Sequence, residues 1–273
     1  MVFICTAMYI EAEPFIQKLK LKKDSEITKF QVFKNSSTTL LITGKGKLKA
    51  SIALTYLFSR YNCNAGDLIV NIGLCGTNNK NHKIGQVFLC NKIIDNDSQK
   101  TYFTDILYQH NFLESSLETF SYEVDSNTSI KGDLIDMEAT GIYESTLTFY
   151  QPHQLFFIKI LSDYLNTNNL NSNFLKSILE KSSTEIISWL NKLQISVTND
   201  NNSLSPKEIQ LIDEISNNLK LSSTMKNEFR QVVKYNDLLH GDFSKELENM
   251  LSIKCSSKKE GKIYLEKFKE KFV

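Results

Sequence analysis

Short apolar runs alternate with longer amphipathic stretches through the first two-thirds of the chain. The runs predict strands over 2–7, 28–33, 38–43, 67–72, 86–94, 117–122, 133–137 and 155–161. Apolar residues spaced three and four apart predict helices near 11–20, 47–60, 139–150 and 172–193. In the helix near 47, Leu48, Ile52, Ala53, Leu54 and Leu57 form a broad apolar face. In the helix near 172, Phe174, Ile178, Ile186, Trp189, Leu190 and Leu193 do the same. Both faces are expected in the core, with Trp189 as a packing anchor. Strands that alternate with helices of this length predict an α/β domain of three layers, α/β/α, around a central mixed sheet.

The pattern changes near residue 195. Residues 195–204 are mostly polar and read as a linker; Ser205, Pro206 and Glu208 then supply an N-cap, a proline at the first helical position and a capping-box acid. Beyond them Ile209, Ile212, Ile215 and Leu219 recur at helical spacing, followed by Met225, Phe229, Val232 or Val233, Leu247, Met250, Ile263 and Phe268. The expected organisation is therefore an α/β domain over 1–194, a linker over 195–204 and a small all-α module over 205–273.

Composition narrows the class. A chain of 273 residues with 41% hydrophobic and 23% charged residues can bury a sizeable core, and its net charge of +1 argues against a polyanion binder. Cys5, Cys63, Cys75, Cys90 and Cys255 are odd in number with no CxxC pair, which predicts reduced thiols in a cytoplasmic protein and neither a disulfide frame nor a metal site. The apolar amino terminus has no basic leader and stops at Glu11, so it reads as a buried strand and not a signal peptide. The run over 155–161 contains Lys159 and falls far short of the roughly 18 to 20 apolar residues a membrane span needs. His82, His110, His153 and His240 lack ligand spacing and are expected at the surface.

The candidate chemistry lies where strands end in acids. The segment Asp133-Leu134-Ile135-Asp136-Met137-Glu138 and the run ending in Ile160-Leu161-Ser162-Asp163 each bring a carboxylate to the carboxyl end of a predicted strand, the side of an α/β sheet where ligands bind. Other blocks stand in order along the chain: Ala7-Met8-Tyr9-Ile10-Glu11, Thr43-Gly44-Lys45-Gly46-Lys47, Asn71-Ile72-Gly73-Leu74-Cys75-Gly76 and Lys83-Ile84-Gly85-Gln86-Val87. Some have blander readings. Gly46-Lys47 is no nucleotide-phosphate loop, because Leu41 and Leu48 occupy positions where that motif needs Gly and Ser or Thr. Gly73 and Gly76 suit a simple turn, and Glu13 needs no role beyond complementing a helix dipole.

Together the blocks resemble the nucleoside phosphorylase and methylthioadenosine/S-adenosylhomocysteine nucleosidase family, over residues 1 to about 194. Cleavage of a nucleoside passes through a ribosyl oxocarbenium ion, so the leaving purine must be protonated, the sugar hydroxyls held and a nucleophile delivered. The resemblance implies that Asp163 donates to purine N7, Glu138 accepts from the ribose 2′- and 3′-hydroxyls and Glu11 activates water. It also implies that Met137 packs on the sugar, that an aromatic of Phe120-Ser121-Tyr122 stacks on the base, and that Gly73, Cys75, Gly76, Ser162 and Lys159 complete the substrate contacts. No cofactor is implied, and the family usually dimerises.

Three departures bear on the reaction. Asn71 and Leu74 stand where phosphorylases of this family place an anion-binding arginine and serine, Arg60 and Arg230 are the only arginines, and Lys159 replaces a nucleosidase arginine. These favour hydrolysis and leave phosphorolysis as the alternative. The stretch between Gly85 and Glu138 is several tens of residues shorter than in a usual nucleosidase, and the tail after 194 has no common counterpart. A non-catalytic nucleoside-binding protein that docks a partner through its helical module therefore also stays open, because residues 252–273 are rich in lysine with Ile263, Leu265 and Phe268 interleaved.

Overall fold

The computed structural model describes residues 1–166, 171–201, 204, 206–240 and 244–272. Two compact units divide the chain, Met1–Ile195 and Ser196–Val273.

In the first unit the strands are β1 (Val2–Thr6), β2 (Lys22–Lys23), β3 (Gln31–Lys34), β4 (Thr38–Ile42), β5 (Leu68–Gly76), β6 (Val87–Asp95), β7 (Thr101–Phe103), β8 (Leu113–Thr119), β9 (Leu134–Asp136) and β10 (Leu155–Asp163). Helices α1 (Tyr9–Lys18), α2 (Lys47–Phe58), α3 (Ala139–Thr146) and α4 (Ser172–Asn201) accompany them. The strands make one mixed sheet. β1 runs parallel to β4 and β5, and β5 runs parallel to β10. From β10 the sheet continues antiparallel to β6, then parallel to β8 and β9, and β9 returns to β5 through the pairing of Gly76 with Ile135. β5, β10, β6, β8 and β9 thus close a ring, from which β1, β4, β3 and β2 extend as an open sheet. The short strands β2 and β7 had no counterpart in the sequence pattern.

β1 and β10 are buried almost throughout, as expected of apolar runs covered on both faces, with Lys159 a charged residue inside the run of β10. The core joins Phe3, Leu54, Phe58, Ile69, Phe88 and Phe157. On α4, Ile186, Trp189, Leu190 and Leu193 are buried, and Trp189 meets Phe112 and Phe156 edge-on while its Nε1 donates to the Gln109 carbonyl. Phe174, expected beside them, is 37% exposed.

The largest correction concerns α2. Leu48 and Ile52 are 73% and 54% exposed, while Ala50, Ala53, Leu54, Leu57 and Phe58 point inward. The cause is a close crossing with α3: a Cβ at Gly141 would lie 2.2 Å from the Lys47 carbonyl oxygen. Ser51 Oγ donates to the Gly141 carbonyl across the same contact. Backbones this close leave room for alanines at the interface, and apolar residues spread around the whole helix hide that choice from periodicity. A second correction is that α4 runs through residues 196–201, where a linker was expected; residues 202, 203 and 205 of that stretch and its cap lie outside the described residues.

The second unit contains α5 (Pro206–Asn218), α6 (Ser223–His240), α7 (Ser244–Met250) and α8 (Lys258–Phe272). Their shared core holds Ile212, Ile215, Phe229, Val233, Leu247 and Leu265. Ile209 and Ile263 face solvent instead. No described helix is long and apolar enough to cross a membrane.

Candidate active site

Glu11 enters the site because α1 starts immediately after β1. Placed in the first turn of the helix, its carboxylate reaches back so that Oε2 accepts the Ala7 and Met8 N–H groups, both at 2.9 Å. Oε1 accepts the Leu74 N–H at 2.9 Å, which ties the start of α1 to β5. The residue is 3% exposed. Burial pushes its carboxyl up, and the three N–H donors and Lys159 offset only part of that rise. Gly73 is needed here for space: a Cβ would lie 3.2 Å from Glu11 Oε1. β5 runs through Gly73, which makes no turn, and ends at Gly76, where the chain passes from strand to loop.

Glu138 stands at the junction of β9 and α3, where its Oε1 accepts the Gly46 N–H at 2.8 Å. Gly46 caps α2 with φ of 100°, a conformation that glycine adopts without strain. Burial pushes the Glu138 carboxyl up to about 7; the charge of Asp136 adds to the rise, while Lys159 and the Gly46 N–H oppose it. Lys47, next to this cap, faces away from substrate chemistry. It pairs with Asp95 at 2.7 Å and Asp97 at 2.6 Å, and Asp95 also accepts Thr140 Oγ1, so α2, α3 and the end of β6 are pinned together.

Asp163 is the last residue of β10. Its Oδ2 is 2.6 Å from Ser162 Oγ, which is also 3.0 Å from the Cys75 carbonyl. A Cβ at Gly76 would sit 3.2 Å from Asp163 Oδ1 and 2.8 Å from Leu165, so this glycine too makes room for an acid.

These elements converge on a cavity of about 290 Å³ whose wall includes Met8, Glu11, Met137, Glu138, Ser162 and Asp163. Cys75, Gly76 and the Leu74 side chain also line it. At its edge Lys45 pairs with Glu123, beside Tyr122 and Val124. Tyr122 is thus the aromatic of its segment that reaches the cavity, while Phe120 is buried with Ile135 and Leu165. Gly73 and Lys159, both expected to touch substrate, stand behind the wall.

Lys159 is 1% exposed and pairs with Asp136 at 2.8 Å. Burial pulls its pKa down, but the carboxylates of Asp136 and Glu138 outweigh burial and hold it above the ordinary lysine value. Asp136 was missed in the sequence. Its Oδ1 accepts Thr119 Oγ1, and its Oδ2 accepts both the Ala139 N–H and Lys159. One signal pointed to it: a lysine inside an apolar strand must find a buried partner.

The histidines differ from expectation. His82 is half-buried and its Nε2 lies 2.6 Å from Asp133 Oδ2, and the side chain of His110 is 9% exposed. Ser115 Oγ donates to Asp133 and not to His82, so this cluster is no serine–histidine relay.

No protein-family model matches the chain, and no curated protein is similar to it in sequence. Solved structures do match in fold. The 5′-methylthioadenosine/S-adenosylhomocysteine nucleosidase of Helicobacter pylori superposes with a TM-score of 0.60 at 13% identity, over 70% of this chain and 97% of its own. The corresponding enzyme of S. pneumoniae gives 0.59 at 17% identity, over 69% and 97%. A futalosine hydrolase mutant of Helicobacter pylori gives 0.56 at 13% identity, over 70% and 98%. The α/β part of this chain therefore has the nucleoside phosphorylase-type fold of these nucleosidases, followed by additional helices.

Proposed function

We propose that this protein hydrolyses the N-glycosidic bond of a purine nucleoside or of an adenosine carrying a 5′ substituent. The observation that carries this reading is the meeting of Glu11, Glu138 and Asp163, delivered by three separate elements, on one cavity. Asp163 is the proton donor to the leaving purine. Ser162 Oγ lies within hydrogen-bond reach of both Asp163 Oδ2 and the Cys75 carbonyl, which fixes the Asp163 side chain at the cavity wall. Glu138 keeps free lone pairs for the two ribose hydroxyls. Glu11, held by three N–H groups, is the base that orients and activates water, and Met8 and Met137 are apolar surfaces for the sugar.

Water is favoured over phosphate as the nucleophile. Arg60 lies over the ring of Tyr56, Arg230 belongs to the helical unit, and neither lines the cavity. Leu74 brings an apolar side chain where an anion would need a donor. Four of the five cysteines are buried and all five are free, which suits the reducing cytoplasm. Dimerisation, in which a partner copy would cover the exposed Leu48 and Ile52 on α2, belongs to the same reading.

The test is product analysis over a panel of adenosine, inosine, 5′-methylthioadenosine and S-adenosylhomocysteine, with and without phosphate. Free base and the free sugar, ribose or its 5′-thio-substituted form, are expected at a phosphate-independent rate. Ribose-1-phosphate would establish phosphorolysis instead, and binding without turnover across the panel would establish the accessory-protein reading.

A further inference from the structure

Three carboxylates, Glu11, Asp136 and Glu138, are buried around a single buried ammonium, Lys159. They are not equivalently served. Glu11 has three backbone donors, and Asp136 has the Thr119 hydroxyl, the Ala139 N–H and the ammonium itself. Among the described residues, Glu138 has the Gly46 N–H alone. The other charges near it are committed: Lys47 at the start of α2 to Asp95 and Asp97, and Lys45 to Glu123. Glu11 from α1 and Asp163 from β10 share its cavity and add only further acid.

A buried pair such as Asp136–Lys159 is poor value as a stabiliser, because desolvation consumes most of its attraction and an apolar pair of similar size often does as well. Its position beside two acids of the site suggests another purpose. We infer that Asp136 is a positioning residue that holds Lys159 away from Glu138, so that the empty site stores one proton on Glu138 and releases it when a ribose diol binds. A protonated Glu138 can accept from one hydroxyl of a diol and donate to the other, but only the ionised form accepts from both through the stronger charge-assisted bonds, so diol binding favours loss of the proton. Substrate entry and loss of this proton are therefore linked, and affinity for ribonucleosides rises as pH rises through about 7, the range to which burial and Asp136 push Glu138.

The ligand part of this inference builds on the nucleosidase reading; the proton part does not. In the free full-length protein, difference infrared titration should show a protonated carboxyl that disappears near pH 7 and is absent in Glu138→Gln. In Asp136→Asn, Lys159 is released toward Glu138, and the midpoint should fall by about 1 to 3 pH units. A midpoint that stays put in Asp136→Asn overturns the role of Asp136. Should that variant not fold, calorimetry on full-length Asp163→Asn, which binds nucleosides without turning them over, decides: at pH 6.5, in two buffers of different ionisation enthalpy, adenosine should bind with net proton release and 2′,3′-dideoxyadenosine without it. Equal proton release by the two ligands overturns the inference. If no nucleoside binds at all, the nucleosidase reading fails, while the infrared titration still decides whether Asp136 controls the Glu138 proton.

Discussion

The two units handle charge in opposite ways. The α/β unit keeps Glu11, Asp136, Glu138 and Lys159 at exposures of 3%, 5%, 7% and 1%. The helical unit places its ion pairs, Lys207–Glu248, Lys226–Asp213 and Lys269–Glu228, at or near the surface and fills its centre with Ile212, Ile215, Phe229, Val233, Leu247 and Leu265. Its buried acid, Glu208, lies in the first turn of α5, where a helix N-terminus favours negative charge. A chain able to build an apolar core in one unit had no stability reason to bury four charged groups together in the other. The difference marks where chemistry is to be sought: in the unit whose buried charge is poorly explained by folding.

The sharpest way to break this contrast is at Asp163. Asp163→Asn keeps the shape but cannot transfer a proton, and kcat should fall by about 10² to 10⁴ while nucleoside binding by calorimetry survives. Unchanged turnover would remove Asp163 from the mechanism. Phe229→Ala tests the other side, since it opens a cavity in the helical core and should cost that unit about 3–5 kcal/mol, read by denaturant unfolding, with nucleosidase kinetics unaltered. A comparable loss of kcat/KM would mean that the helical unit shapes the site.

Glu138→Gln should weaken ribonucleoside affinity by about 1.5–3 kcal/mol, the usual worth of a hydrogen bond to a charged group, and 2′-deoxyribonucleosides by less. Equal losses for the two sugars would give Glu138 a different role. The smallest effect is expected at Lys226→Ala, where an exposed pair with Asp213 should change unfolding stability by less than about 1 kcal/mol. A larger change would show that charge in the helical unit is structural after all.

The sequence by itself carried the alternation of strands and helices, the change of character near residue 195 and the acids at strand ends. The first and last of these are local: burial on both faces writes β1 as a continuous apolar run and β10 as one broken by Lys159, and Glu138 and Asp163 stand where β9 and β10 stop, while Glu11, inside α1, came from the family resemblance. Long-range contacts decided the rest. The outward face of α2 depends on how closely Lys47 approaches Gly141 on α3, 94 residues away in the chain, and no periodicity within α2 records that distance. Gly73 suited a simple turn in the sequence, whereas in the fold it lies within β5 with Glu11 in the space beside it. Asp136 looked like one more acid near a motif. Only the pairing that brings β9 and β10 onto β5 set it against Lys159, and the low dielectric there turned two distant side chains into the electrostatic centre of the site.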